Sequence, residues 1–167
     1  QGTEVAQELA IALSIGSEYL TRLTEFETEP ETVARHTQFT FYAANSYFVE
    51  MAKLRAFRLL WNEVQKAYGI TAPVPARIHA KTSLRTQTED THTNMIHATT
   101  EAMSAILGGA DYLTVQPADL VLGQPDDFTH RIARNVQHIL KHESYFDRVA
   151  DPAAGSYYIE TLTKKLA

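Results

Sequence analysis

Three short runs of aromatic and β-branched residues, each followed by a longer stretch with apolar residues three and four apart, set the strongest limit on how this chain can fold. The runs are Gln38 to Ala43, with Phe39, Thr40, Phe41 and Tyr42 in succession, then Ala76 to Lys81, then Asp111 to Val115. Asn45 or Ser46 is placed to cap a helix reaching about Tyr68, with Met51, Leu54, Trp61 and Val64 marking its period and Gly69 its stop. Thr93 or Asn94 is placed to start the next, in which Met95, Ile96, Thr99, Ala102, Met103, Ile106 and Leu107 line one side before Gly108-Gly109. Phe128 to His142 repeats the helical spacing, and Asp126 and Asp127 stand where a helix dipole favours acids. Glu4 to Phe26 reads as a helix ahead of the first strand, weakened at Gly16. Pro30 opens a short helical turn, and Ser156 to Leu166 reads as a last helix. Strands alternating with helices predict right-handed βα units and a parallel sheet. A closed eight-fold barrel takes about 250 residues. The 167 residues here, with about three such units, therefore read as a small open α/β domain or as part of a barrel.

Composition removes several classes of function. The chain has no Cys, which excludes disulfides, thiolate metal sites and a Cys nucleophile. Fifteen Lys and Arg against twenty Asp and Glu give a net charge of −5 with mixed signs, which argues against nucleic acid as a partner. The longest apolar stretches fall far short of the ~20 residues that a membrane span needs, and no signal-peptide pattern opens the chain. These features predict a soluble cytoplasmic protein without membrane contact. The first residue is Gln1 rather than Met, so the sequence reads as processed or cut from a longer chain.

Among residues that carry chemistry, His79 stands out because it lies near the C-terminal end of a predicted parallel strand, where α/β proteins place their sites. Lys81, Thr82 and Ser83 beside it add a cation and two hydroxyls. The alternative is a hydrogen-bonded, half-buried histidine. His138 and His142, four apart on a predicted helix, have chelating spacing but no third ligand, and read as a solvated pair. His92 and His97 do not share a helical face. No metal site is predicted. No phosphate loop or dinucleotide fingerprint occurs, and Gly108-Gly109 reads as a helix stop. The residues alone leave open a sugar- or acyl-handling barrel enzyme and a non-catalytic subunit.

Six segments in order are similar to the substrate-binding barrel of the adenosylcobalamin-dependent acyl-CoA mutases, the methylmalonyl-CoA mutase family in particular. They are Gln7 to Ala10, Val49 to Ala56 with Arg58 to Trp61, Arg77 to Ser83, Thr99 to Gly109, Arg131 to Asn135, and Asp151 to Tyr158. The resemblance implies the C-terminal part of a (β/α)8 TIM barrel as one segment over residues 1–167, about three βα units with flanking helices and no cobalamin-binding domain. It implies a radical isomerase interconverting methylmalonyl-CoA and succinyl-CoA, with adenosylcobalamin supplying the radical chemistry and the barrel supplying binding and exclusion of water. His79 falls where the family has a donor to the substrate thioester carbonyl.

Other family positions are substituted here. An Arg that pairs with the substrate carboxylate, and the Ser and Phe that follow it, correspond to His36, Gln38 and Thr40, with Arg35 one place out of register on what reads as an extended segment. A Gln after the histidine is Lys81, and a Gln on the third strand is Asp111, an acid expected to repel a dicarboxylate-derived acyl-CoA. The corrin-facing positions read Leu84, Arg85 and Leu120. This pattern resembles the small, non-catalytic subunit of heterodimeric members, which implies a large catalytic subunit as partner. A catalytic chain with an altered acyl-CoA substrate, in which Lys81 or Arg85 replaces the missing carboxylate-binding Arg, and a binding module on the same scaffold, are the alternatives. A partial barrel has open sheet edges, so the segment is expected to self-associate or dock.

Overall fold

The computed structural model describes residues 2–167, and side chains from Val5 on; Gln1 lies outside the described residues. The elements run α1 (Gly2–Glu25), α2 (Pro30–His36), β1 (Gln38–Ala43), α3 (Tyr47–Ala67), β2 (Arg77–Thr82), a 3-10 turn (Leu84–Thr86), α4 (Thr91–Leu107), β3 (Tyr112–Thr114), α5 (Asp127–His142) and α6 (Tyr157–Leu166). The strands form one parallel sheet in the order β1-β2-β3, with Thr40 opposite His79 and His79 opposite Tyr112. The third strand is shorter than the sequence predicts, because the Gln116 N–H donates to the Thr82 hydroxyl instead of continuing the ladder. Three strands make an α/β sheet; the described residues do not close a barrel. No described helix is long and apolar enough to cross a membrane.

The helices pack on one face of this sheet. Phe39, Phe41, Ala43, Ile78 and Ala80 point into a cluster with Leu9 and Leu20 of α1, Leu54, Phe57 and Trp61 of α3, and Ala105 of α4. Phe39 meets Phe57 and Trp61 edge-on, with ring centroids 4.6 and 4.8 Å apart, the geometry aromatic quadrupoles favour. A second cluster joins Ala98 and Ala102 of α4 to Val115 and to Ala133, Val136 and Leu140 of α5. Arg55 on α3 grips Asp151 through two 2.7 Å bonds and Glu160 at 2.6 Å, which holds the Asp151 to Gly155 loop and α6 against α3.

Two helix assignments need correction. The N-cap of α4 is Asp90, whose carboxylate accepts from the His92 N–H, so the helix begins before Thr93. Its buried side is not the expected large apolar row: Ile96 is 66% exposed, and Asn94, Ala98, Glu101, Ala102, Ser104 and Ala105 face inward. The small residues let α4 lie close to α3. A Cβ on Gly108 would sit 3.1 Å from the Met51 backbone. The second correction concerns Arg35 and His36, which belong to α2 and not to an extended segment.

Candidate functional site: the open face of the sheet

The pleat sends alternate side chains to opposite faces. With Phe39, Phe41, Ile78 and Ala80 turned to the helices, Gln38, Thr40 and Tyr42 of β1, Arg77, His79 and Lys81 of β2, and Tyr112 and Thr114 of β3 share the other face, exposed or half-buried. His79 occupies its middle. His79 Nε2 is 2.8 Å from Thr114 Oγ1, two residues along β3 from its register partner Tyr112. Burial holds the His79 imidazole below the ordinary histidine range, and the positive charge of Lys81 on the same face adds to the effect. Histidine in this state is a neutral hydrogen-bonding group rather than a fixed cation.

The loops at the C-terminal ends of the strands are stitched together beside this face. Glu101 of α4, 2% exposed, accepts from the Ser83 N–H at 3.0 Å and from the Thr86 hydroxyl at 2.5 Å. Burial pushes its carboxyl up, opposed by those two bonds. Asn94 accepts from the Thr88 N–H and donates to the carbonyls of Thr88 and Ala118, while Gln87 donates to the Pro117 carbonyl. The loop after β2 is thereby fixed to the loop after β3. On the α1 side, Lys53, 1% exposed, joins Glu8 at 2.8 Å, Glu50 at 2.5 Å and the Tyr42 carbonyl at 2.6 Å.

The structure brings together Gln38, Thr40, His79 and Lys81 of the residues singled out from the sequence. Arg85 lines a cleft of about 580 Å³ with Glu8, Ile11, Gln38 and Thr40. His36 ends α2 and points Nδ1 at the Thr32 carbonyl, 2.8 Å away. Arg35 pairs with Glu31 one turn earlier. Asp111 precedes β3 on the helix-facing side, where it accepts from the Ile78 N–H at 2.7 Å and pairs with Arg58 at 3.0 Å. The repulsion expected from it therefore does not act on the open face. His138 and His142 stack on the exposed side of α5, ring centroids 6.0 Å apart. Among the described residues no group of three His, Asp or Glu could hold a metal ion.

As site residues Thr114, Tyr42, Glu101 and Asn94 were missed: Asn94 entered only as a helix start, and Tyr42 and Thr114 only as strand residues. Thr114 becomes visible only once the register is known. Glu101 carried a signal of its own: it is an acid between Ala98, Ala102 and Ala105 at helical spacing.

A parallel sheet covered by helices on one face, with polar side chains on the other and tied loops at the strand ends, defines an α/β scaffold of the kind that handles small molecules. The sequence model for methylmalonyl-CoA mutase matches residues 1–167, and the chain belongs to that family. It is 45% identical over 171 residues to the methylmalonyl-CoA mutase small subunit of Porphyromonas gingivalis and 44% identical over 167 residues to that of Streptomyces virginiae. It is 39% identical over 168 residues to the methylmalonyl-CoA mutase of Escherichia coli strain K12. Each comparison covers 99% of this chain but only 27%, 27% and 24% of the relative, so the chain spans about a quarter of their length.

The corrin-facing positions lie in loops after the strands: Leu84 and Arg85 on the one-turn helix after β2, with Arg85 lining the cleft between α1 and β1, and Leu120 in the turn after β3. Gln87 joins the two loops, donating to the Pro117 carbonyl and accepting from the Val121 N–H. Two leucines and an arginine offer no metal ligand, and no step is routed through the cofactor.

Proposed function

We propose that this chain is a segment of the (β/α)8 barrel of a small, non-catalytic methylmalonyl-CoA mutase subunit, which supports a large catalytic subunit through subunit contacts. The observation that carries the reading is the make-up of the open face where β1 begins. A dicarboxylate-derived acyl-CoA calls for a guanidinium there to meet its free carboxylate bidentately. Gln38 and Thr40 hold those places on β1, Arg35 is committed to Glu31 on α2, and His36 is turned back onto its own helix; Arg77, the guanidinium on this face, stands on β2 opposite Gln38 and not on β1. Relatives named small subunit support the same reading.

In this account the parent protein belongs to an adenosylcobalamin-dependent isomerase as part of a complex, and its acyl-CoA is handled by the large subunit. The free edges of β1 and β3 would be covered by the remaining strands of the barrel. Without them the isolated segment would self-associate. The test is mutase activity with separately purified full-length subunits. The subunit carrying this chain alone should not convert methylmalonyl-CoA to succinyl-CoA, and the large subunit should gain stability or activity in its presence. Turnover by this subunit alone overturns the reading.

A further inference from the structure

We propose that Glu8 and Lys53 end strand pairing on the free edge of β1: the extended segment of the full-length chain that covers this edge bonds to Gln38 and Thr40 and parts from β1 at Tyr42. This rests on the reading above that further strands of the same chain lie there. In a parallel pair, alternate residues turn their N–H and C=O to one neighbour, and the residues between them turn theirs to the other side. The Ala43 carbonyl accepts from the Ser83 N–H at 3.0 Å, so Phe39, Phe41 and Ala43 carry the ladder to β2. Gln38, Thr40 and Tyr42 therefore present their backbone groups to the free edge.

These three residues are not equally available. Among the described residues nothing bonds the outward backbone groups of Gln38 and Thr40, which leaves them to a neighbouring strand. The Tyr42 carbonyl is taken by the Lys53 ammonium at 2.6 Å, and Glu8 Oε1 stands 3.5 Å from the Tyr42 nitrogen. A paired strand would run about 4.8 Å from β1 with its own N–H on that carbonyl, where Lys53 already sits. Lys53 is 1% exposed and also holds Glu8 at 2.8 Å and Glu50 at 2.5 Å. Moving it aside would strand buried charges, so the ammonium holds its place. All of these partners belong to α1, β1 and α3, and the enclosure does not depend on the rest of the chain.

The space beside the edge has the same limit. The cleft of about 580 Å³ follows Thr37 to Phe41 between β1 and Glu8, Ile11, Ile15 and Tyr19 of α1, and Tyr42 is not among its walls. Ile11, Ile15 and Tyr19 are each about half exposed, an apolar wall for alternate side chains of one extended segment. The chain spans 27% of the small subunits it matches, so the remainder of such a polypeptide is the source of that segment.

The test is hydrogen exchange of the full-length protein, read residue by residue at two protein concentrations. The Thr40 amide should exchange about tenfold or more slowly than that of Tyr42, after correction for intrinsic rates, at both concentrations. Glu8→Ala should speed exchange at Tyr42 and leave Thr40 unchanged; the wild-type pattern decides alone if that variant does not fold. A Tyr42 amide as slow as that of Thr40, with or without Glu8, means that the ladder continues and overturns this inference while leaving the barrel reading intact. Fast exchange at Thr40 overturns both. Protection of Thr40 that fades on dilution makes the occupant a second copy and overturns the assignment to the same chain.

Discussion

His79 Nε2 and Thr114 Oγ1 lie 2.8 Å apart across β2 and β3, a side-chain bond that aims the imidazole along the open face instead of out of it. Thr114→Val removes the partner and keeps the shape. The expected result is a shift and broadening of the His79 Nε2 resonance, with a stability loss of about 1 kcal/mol in urea unfolding. An unchanged His79 spectrum would mean that the bond does not set the ring.

The lowered His79 pKa has a definite sign. Burial is the larger cause and Lys81 the smaller, so the folded protein binds the His79 proton less tightly than the unfolded chain does. The stability this represents is present above the ordinary histidine value of about 6.5 and is lost as pH falls through the lowered folded value. In a titration of histidine ring signals, His79 should protonate below the ordinary histidine value of about 6.5. Lys81→Met should move the His79 midpoint up but leave it below the ordinary value, because burial remains.

Glu101 is the strut of the loop after β2. Glu101→Ala strands the Ser83 N–H, while the Thr86 hydroxyl keeps the Ser83 carbonyl as its acceptor, and should cost roughly 1–3 kcal/mol. Glu101→Gln keeps an acceptor and should cost less. Burial raises this carboxyl's pKa, so the Ala–Gln difference should be read at a pH above that raised value, where the native group is charged. Equal loss in the two variants would point to packing alone.

Gly16 is set by contact and not by backbone freedom. A Cβ there would lie 2.6 Å from Trp61 Cζ3 and 3.0 Å from Phe39 Cζ. Gly16→Ala would raise helix propensity in an isolated peptide, yet in the protein overpacking should dominate and cost about 1–3 kcal/mol. Thermal unfolding and Trp61 fluorescence check this; a stabilised protein would refute it.

Why some of this was legible in the sequence and some was not follows from the range of the forces involved. β1 and β2 show in their runs of aromatic, β-branched and alternating residues, and α1, α3 and α5 in their apolar period, because each pattern is local. Residues such as Gly16 and Gly108 read as helix weakness or helix stop, since their role depends on Trp61 and Met51 far along the chain. The buried side of α4 was misread for a related reason: an inward Glu101 and Asn94 are intelligible only when the loop amides they satisfy are in place. Arg35 and His36 followed the same rule. Pro30 starts a helix that runs to the edge of β1, so a position expected on the sheet sits on α2. His79 and Lys81 were legible as site candidates from their place on β2, whereas their relation to Thr114 required the register of β3.

The central claim is that this family member supports a mutase without carrying out its radical step. Spectral titration of the full-length subunit with adenosylcobalamin tests it most directly. The account predicts no change in the cobalamin absorption spectrum with the subunit alone and a normal change once the large subunit is added. Stoichiometric binding of adenosylcobalamin by this subunit alone, accompanied by turnover of an acyl-CoA, would contradict it.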